Sequence, residues 1–162
     1  MIRALQSNNT QDFDKIYQTP VGKLGIRYHK NTITELRWLS NCSSTKILNR
    51  DKNDLITKTL DHYFDTAESP NKLNVSPAGT PFQLMVWKRL RQIPVGETIT
   101  YGELARELKT SSRAIGQACR TNPLVLFIPC HRVISKTGLG GYMGNQKKSL
   151  IKSWLLEHET RH

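Results

Sequence analysis

The chain has 162 residues, of which 37% are hydrophobic and 23% charged. That composition excludes a disordered or fibrous chain and leaves room for one large domain or two small ones. Lys and Arg total 24 against 13 Asp and Glu, a formal charge of +11. No stretch approaches the ~18 uninterrupted apolar residues of a membrane span, so a soluble protein is expected. Residues Met1 to Asn9 carry no apolar export signal. Three scattered cysteines, Cys42, Cys119 and Cys130, make no disulfide scaffold. The expected home is a reducing cell interior, the cytoplasm, or the nucleus in a eukaryote.

The first predicted element is a hairpin, Leu24–His29 and Thr32–Leu39, turning at Lys30-Asn31. From Asp54, the positions Leu55, Ile56, Leu60, Tyr63 and Phe64 recur at helical spacing. Asp65 to Gly79 is polar and turn-rich, with Pro70, Asn71 and Pro77, and a domain boundary is placed there, giving units 1–78 and 79–162. A helix then opens at Thr80, with Pro81 in its first position and Gln83 completing a capping box. Phe82, Val86 and Leu90 share one of its faces. A second box, Thr100 with Glu103, opens a short helix carrying Leu104, Ala105 and Leu108. After Lys109-Thr110-Ser111-Ser112 comes another helix with Ala114, Ile115, Ala118 and Cys119, studded with Arg113 and Arg120. Such a pair matches a helix-turn-helix, and also plain core packing. Leu124–Ile128, bounded by Pro123 and Pro129, reads as a short buried strand or extended segment. A glycine-rich loop (Gly138, Gly140, Gly141, Gly144) leads to a closing helix, Lys147 to Glu159, with Leu150, Trp154 and Leu155 on its apolar side.

Charge is unevenly spread. Residues 1–78 carry 11 basic and 8 acidic residues, net +3, whereas residues 79–162 carry 13 and 5, net +8. A basic second half suits a polyanion such as nucleic acid, and equally a surface kept soluble. Directly after the apolar run stands Pro129-Cys130-His131-Arg132. A thiol acts as a nucleophile only as its thiolate, and a nearby base or cation lowers its pKa from about 8.5. His131 and Arg132 offer both, although adjacent side chains leave the backbone in different directions, which favours a relay through water or a carboxylate. No second Cys or His stands at ligand spacing from Cys130, so no metal site is expected.

Eight strings occur in one order: Gly79–Gln83, Ile93–Thr98, Tyr101–Ala105, Arg113–Gly116, Asn122-Pro123, Ile128–Ile134, Gly141-Tyr142 and Trp154–Glu159. Together they resemble the O6-alkylguanine–DNA alkyltransferase family, the methylated-DNA–protein-cysteine methyltransferases, across residues 79–162. The resemblance implies an α/β protein: a small ribonuclease-H-like sheet-plus-helix domain, then a mainly helical domain with a winged-helix-like helix-turn-helix. It implies that Cys130 takes an alkyl group from O6-alkylguanine, or O4-alkylthymine, in double-stranded DNA, once per molecule and without cofactor. By the same resemblance His131 is the base acting through water, Glu159 orients it, Asn122 supports the network and Tyr101 donates to the departing guanine. Backbone groups of Cys130, Val133 and Met143 read the base edge, and Tyr142 closes the pocket. Ser112, Arg113, Ala114, Gln117 and Arg120 face DNA, with Arg113 filling the space of a base turned out of the stack. A monomer without membrane association is expected.

Three departures from the family pattern stand out: a shorter link at Lys109–Ser112, Asn145 after Gly144, and a longer stretch from Asn145 to Trp154. Cys42 and Cys119 have no matching role and are read as structural. Two rival readings are a DNA-binding protein without chemistry, against which Cys130 argues, and a small-molecule thiol hydrolase, which gives no reason for a basic helix pair.

Overall fold

The structure is a computed structural model that describes residues 13–40, 54–144 and 148–162; Cys42 and Asn145 lie outside them. The expected hairpin forms between β2 (Gly22–His29) and β3 (Thr32–Leu39). Its ladder steps from Arg27–Glu35 to Tyr28–Ile33, so Thr34 is an extra residue in β3. That bulge corrects the parity of the strand and puts Ile33, Leu36 and Trp38 on one buried face. A strand the sequence did not signal, β1 (Lys15–Thr19), pairs antiparallel with β2.

Helix α1 (Asp54–Thr66) packs Ile56, Leu60 and Tyr63 inward. Leu55, expected among the inward residues, is 59% exposed, because it lies one residue off that stripe. The turn-rich segment after α1 contains β4 (Asn74–Val75), parallel to β3, so the sheet order is β1-β2-β3-β4.

Both capping boxes form as expected. Thr80 accepts from Gln83 N and the Gln83 side chain accepts from Thr80 N, opening α2 (Pro81–Leu90). The same exchange between Thr100 and Glu103 opens α3 (Tyr101–Glu107), directly after β5 (Ile99–Thr100). A tight link, Leu108 to Ser111, leads to α4 (Ser112–Arg120), capped by Ser111 on Ala114 N. A single 3-10 turn, Cys130–Arg132, runs into β6 (Val133–Ile134), which pairs parallel with β5.

Leu124–Ile128 is wholly buried, but it is not a strand. It coils, with Leu126 at φ +71° and the Ile128 amide bonded back to Leu124 O at 2.9 Å. It meets the sheet at one point, Leu36, whose amide donates to Pro123 O at 2.8 Å and whose carbonyl accepts from Val125 N at 3.1 Å. The reason is Asn122, whose Oδ1 accepts from Leu124 N and whose Nδ2 donates to Ile128 O, at 2.9 and 2.8 Å. Those bonds satisfy groups that an extended run would offer to a partner strand.

The last helix, α5 (Ser149–Arg161), also differs from expectation. Leu150 is 78% exposed, and the inward stripe is Lys152, Leu155 and Glu159, with His158 beside it. Polar groups occupy that side because they reach the centre described next. One continuous apolar cluster runs from Leu24 to Leu155 and joins the sheet to the helices. Among the described residues no helix is long and apolar enough to cross a membrane.

Candidate active site

Cys130 opens the 3-10 turn and is 3% exposed, at the end of the coiled apolar segment. The same Asn122 amide that shapes the segment lies 3.1 Å from Cys130 Sγ and donates to it. Met143 Sδ sits 3.5 Å away, and the buried Tyr142 hydroxyl also bonds the sulfur. Tyr142 is itself fixed by Trp38 Nε1, which donates to its oxygen at 3.0 Å. Burial pushes the Cys130 thiol up to about 11, against the opposing pull of Asn122, the Lys152 charge and Tyr142. At neutral pH it is therefore a thiol, not a standing thiolate.

The expectation that Arg132 would lower the cysteine's pKa is overturned by where its guanidinium goes. Nε and NH2 donate to Glu159 at 2.9 and 2.8 Å, and NH1 donates to Ile93 O at 2.6 Å. Glu159, on the inner face of α5, is a hub. Its Oε1 accepts from His131 Nε2, Arg132 NH2 and the Tyr63 hydroxyl, each at 2.8 Å. Burial works to raise this carboxyl, but the hydrogen bonds from His131 and Arg132 and the Arg132 charge prevail and hold it well below the usual range. An ionised carboxylate only accepts, so the facing Nε2 of His131 carries the hydrogen and Nδ1 holds the lone pair. Nδ1 is buried and meets no protein partner. Burial lowers the His131 pKa despite the Glu159 contact, so the ring is neutral at physiological pH. The arrangement is a neutral imidazole with its tautomer locked by a carboxylate and its basic nitrogen unengaged.

Sequence reasoning missed three members of this site. Tyr63 reaches Glu159 from α1, and the Tyr63 carbonyl accepts from His158 Nε2 at 2.8 Å. Trp38 reaches Tyr142 from β3. Neither leaves a local signal, because both contacts span about a hundred residues. Lys152 could have been found: it lies seven residues before Glu159, on the same helical face. Its buried ammonium donates to the carbonyls of Val133 and Gly141 and stands 5.7 Å from the Tyr101 ring centroid. Val133, whose backbone is expected to read the base edge, is buried, and its carbonyl already has one donor and retains a second lone pair.

Tyr101 begins α3, half-buried, with its hydroxyl pKa raised by burial and by the neighbouring Cys119 and Cys130. It opens onto a cleft of about 570 Å³ shared with Ser112, Arg113, Gly116, Ser135 and Lys136. Ser112, Arg113, Gln117 and Arg120 are exposed along α4 and Ala114 is half-buried. Met143, half-buried with φ +51°, presents its side chain to the sulfur. Cys119 is buried and its thiol is raised by that burial, in keeping with a packing role. Among the described residues no three His, Cys, Asp or Glu side chains converge as metal ligands.

The comparisons with known proteins agree on one family. The family described as 6-O-methylguanine DNA methyltransferase, DNA binding domain, matches residues 81–161. The constitutive methylated-DNA–protein-cysteine methyltransferase of Bacillus subtilis (strain 168) is 35% identical over 153 residues, covering 88% of this chain and 92% of that protein. This chain belongs to the methylated-DNA–protein-cysteine methyltransferase family. The Mycobacterium tuberculosis O6-methylguanine methyltransferase superposes with a TM-score of 0.77 at 32% identity, over 90% of this chain and 91% of that one. The structure of that organism's protein in complex with DNA superposes at 0.76, with 34% identity and the same 90% and 91% coverage. The methyltransferase likeness thus extends over the sheet as well as the helices, although the family match itself begins at α2.

Proposed function

We propose that this protein repairs DNA by moving the alkyl group of O6-alkylguanine, chiefly methyl, and of O4-alkylthymine, onto Cys130 in a single irreversible event. The observation that carries the reading is a buried thiol bonded by Asn122 and followed in the chain by a neutral His131 whose Nε2 is held 2.8 Å from an ionised Glu159. A thiol with a pKa near 11 cannot wait as thiolate, so its proton leaves as the reaction proceeds. His131 Nδ1 takes that proton through a bridging water, and Glu159 with Arg132 stabilises the charge that appears on the ring. Sulfur attacks the alkyl carbon as the carbon–O6 bond breaks, and the electron pair passes into the guanine ring. Tyr101 supplies a hydrogen bond as charge gathers there, and a proton returns to the base. The products are a thioether and an unmodified guanine. A thioether sulfur lacks a good leaving group, and no second nucleophile stands at the sulfur among the described residues, so the step happens once.

Cys130 is nearly inaccessible, and a base stacked in a duplex hides its O6 group, so the target nucleotide turns out of the helix into the cleft beside Tyr101. Ser112, Arg113, Ala114, Gln117 and Arg120 on α4 hold the duplex, with Arg113 in the vacated space. The α3–α4 pair acts as a winged-helix-like helix-turn-helix in a unit spanning 79–162, behind a ribonuclease-H-like unit spanning 1–78. The protein works as a monomer on intracellular DNA, in the cytoplasm or a nucleus. Incubation with duplex DNA carrying O6-methylguanine, followed by intact-mass and peptide analysis, tests the reading. It requires one methyl-sized gain on the Cys130 peptide and none in Cys130→Ser; a free thiol after exposure to excess lesion overturns it.

A further inference from the structure

Away from the Tyr101 cleft, three cations from three elements converge on a second pocket. Arg37 of β3, Arg120 at the end of α4 and Lys148 just before α5 line a space of about 350 Å³ together with Thr121, Asn122 and Met143. No carboxylate is in that lining. Arg37 is braced from outside by Glu35, at 2.8 Å. Arg120 lies across Gly144, whose φ is +68°; a Cβ there would fall 2.7 Å from Arg120 Nε, so the glycine makes room for the guanidinium. Burial and the facing Arg37 charge hold the Lys148 ammonium below its usual pKa. Two of the lining residues, Asn122 and Met143, also touch Cys130 Sγ, at 3.1 and 3.5 Å. The pocket and the thiol share a wall.

We propose that this pocket is a phosphate subsite that receives a backbone phosphodiester of the strand carrying the target nucleotide. The assignment rests on the alkyl-transfer reading above and extends it beyond α4. A nucleotide delivered to Cys130 brings a phosphate on each side, tethered to the reacting base, to the neighbourhood of the shared wall. Two guanidiniums offer paired N–H donors that match the tetrahedral anion, and the ammonium adds a point charge. Lys148 lies within the stretch, Asn145 to Trp154, in which this sequence is longer than the family pattern. The sheet thereby contributes to DNA binding directly, through Arg37.

The test uses the full chain and a duplex with one O6-methylguanine, in the parent, Arg37→Gln, Lys148→Gln and the charge-keeping Lys148→Arg. Binding is measured across a salt series. Removing either charge should lower the slope of log K against log salt by about one unit, because one fewer phosphate is neutralised. Lys148→Arg should keep the parent slope. Replacing strand linkages one at a time by neutral methylphosphonate should reveal one linkage beside the lesion that weakens the parent and leaves Lys148→Gln unchanged. Unaltered slopes, or a linkage profile identical in parent and Lys148→Gln, overturn the proposal. Titration with inorganic phosphate separates the sources: phosphate binding that depends on Arg37 and Lys148, with DNA slopes intact, assigns the pocket to a free anion and refutes the phosphodiester. Methyl gain on Cys130 of the parent is read in the same samples, so failure of the chemistry is distinct from failure of the subsite.

Discussion

Replacing Glu159 by Gln probes the whole reaction centre, and the structure sets the size of the effect. The carboxylate accepts four close hydrogen bonds: from Tyr63, His131 and twice from Arg132, at 2.8 to 2.9 Å. A Gln amide places an NH2 group against donors whichever way it is turned. It also leaves the Arg132 guanidinium buried with no counter-charge. Breaking a buried ion pair from one side costs about 3–5 kcal/mol. For a chain of this length that is a fall in Tm of roughly 6–20 °C. Urea unfolding of Glu159→Gln, Arg132→Met and the double variant at pH 7 checks this, and the double variant should lose less than the sum of the singles, since it removes the stranded charge. The pH dependence follows the same logic. The folded carboxyl lies below its unfolded value near 4.5, so its contribution is complete above that value and disappears as acid titrates the folded form. The parent should lose stability from about pH 4.5 downward, and Glu159→Gln should show a flatter acid limb. A Glu159→Gln cost below about 1 kcal/mol, or strict additivity with Arg132→Met, would refute the hub.

Tyr63→Phe keeps the ring in the core and deletes one donor to Glu159; it should cost about 1.5–3 kcal/mol in denaturant unfolding, as expected for a hydrogen bond to a charged group, and slow methyl transfer at unchanged DNA affinity. Unchanged stability and rate would remove Tyr63 from the network. Labelling of Cys130 by a small alkylating reagent should rise about tenfold per pH unit above 7 and level off only near 11, tracking the thiolate fraction. Asn122→Ala should move that midpoint higher by deleting a donor to sulfur, and a parent midpoint at 8.5 or below would show that burial does not govern the thiol.

Features written in local chemistry were legible in the sequence. Thr80 with Gln83 and Thr100 with Glu103 place two helix starts, because a capping box is made within four residues. Lys30-Asn31 marks the hairpin turn, and Lys30 takes the positive φ that such a turn needs. Asn122, Cys130, His131 and Glu159 were recognised from an ordered set of strings, and the structure brings them together. What escaped depends on residues far apart in the chain. Leu124–Ile128 has a strand's composition, yet one side chain, Asn122, takes two of its backbone bonds and coils it. Leu150 fits an apolar stripe on paper, but α5 turns Lys152 and Glu159 inward to meet groups on four other segments. Strand β1 is mixed in character and exists because β2 offers it an edge.

The contacts that cross from the sheet and α1 into the reaction centre tie its integrity to a distant part of the molecule. Whenever α1 frays, Glu159 loses Tyr63; whenever β3 detaches, Tyr142 loses Trp38. The fraction of molecules competent to react thus has a ceiling set by the opening equilibrium of those elements. Amide exchange along α1 and β3 would read that ceiling directly, in molecules that have not yet met a lesion.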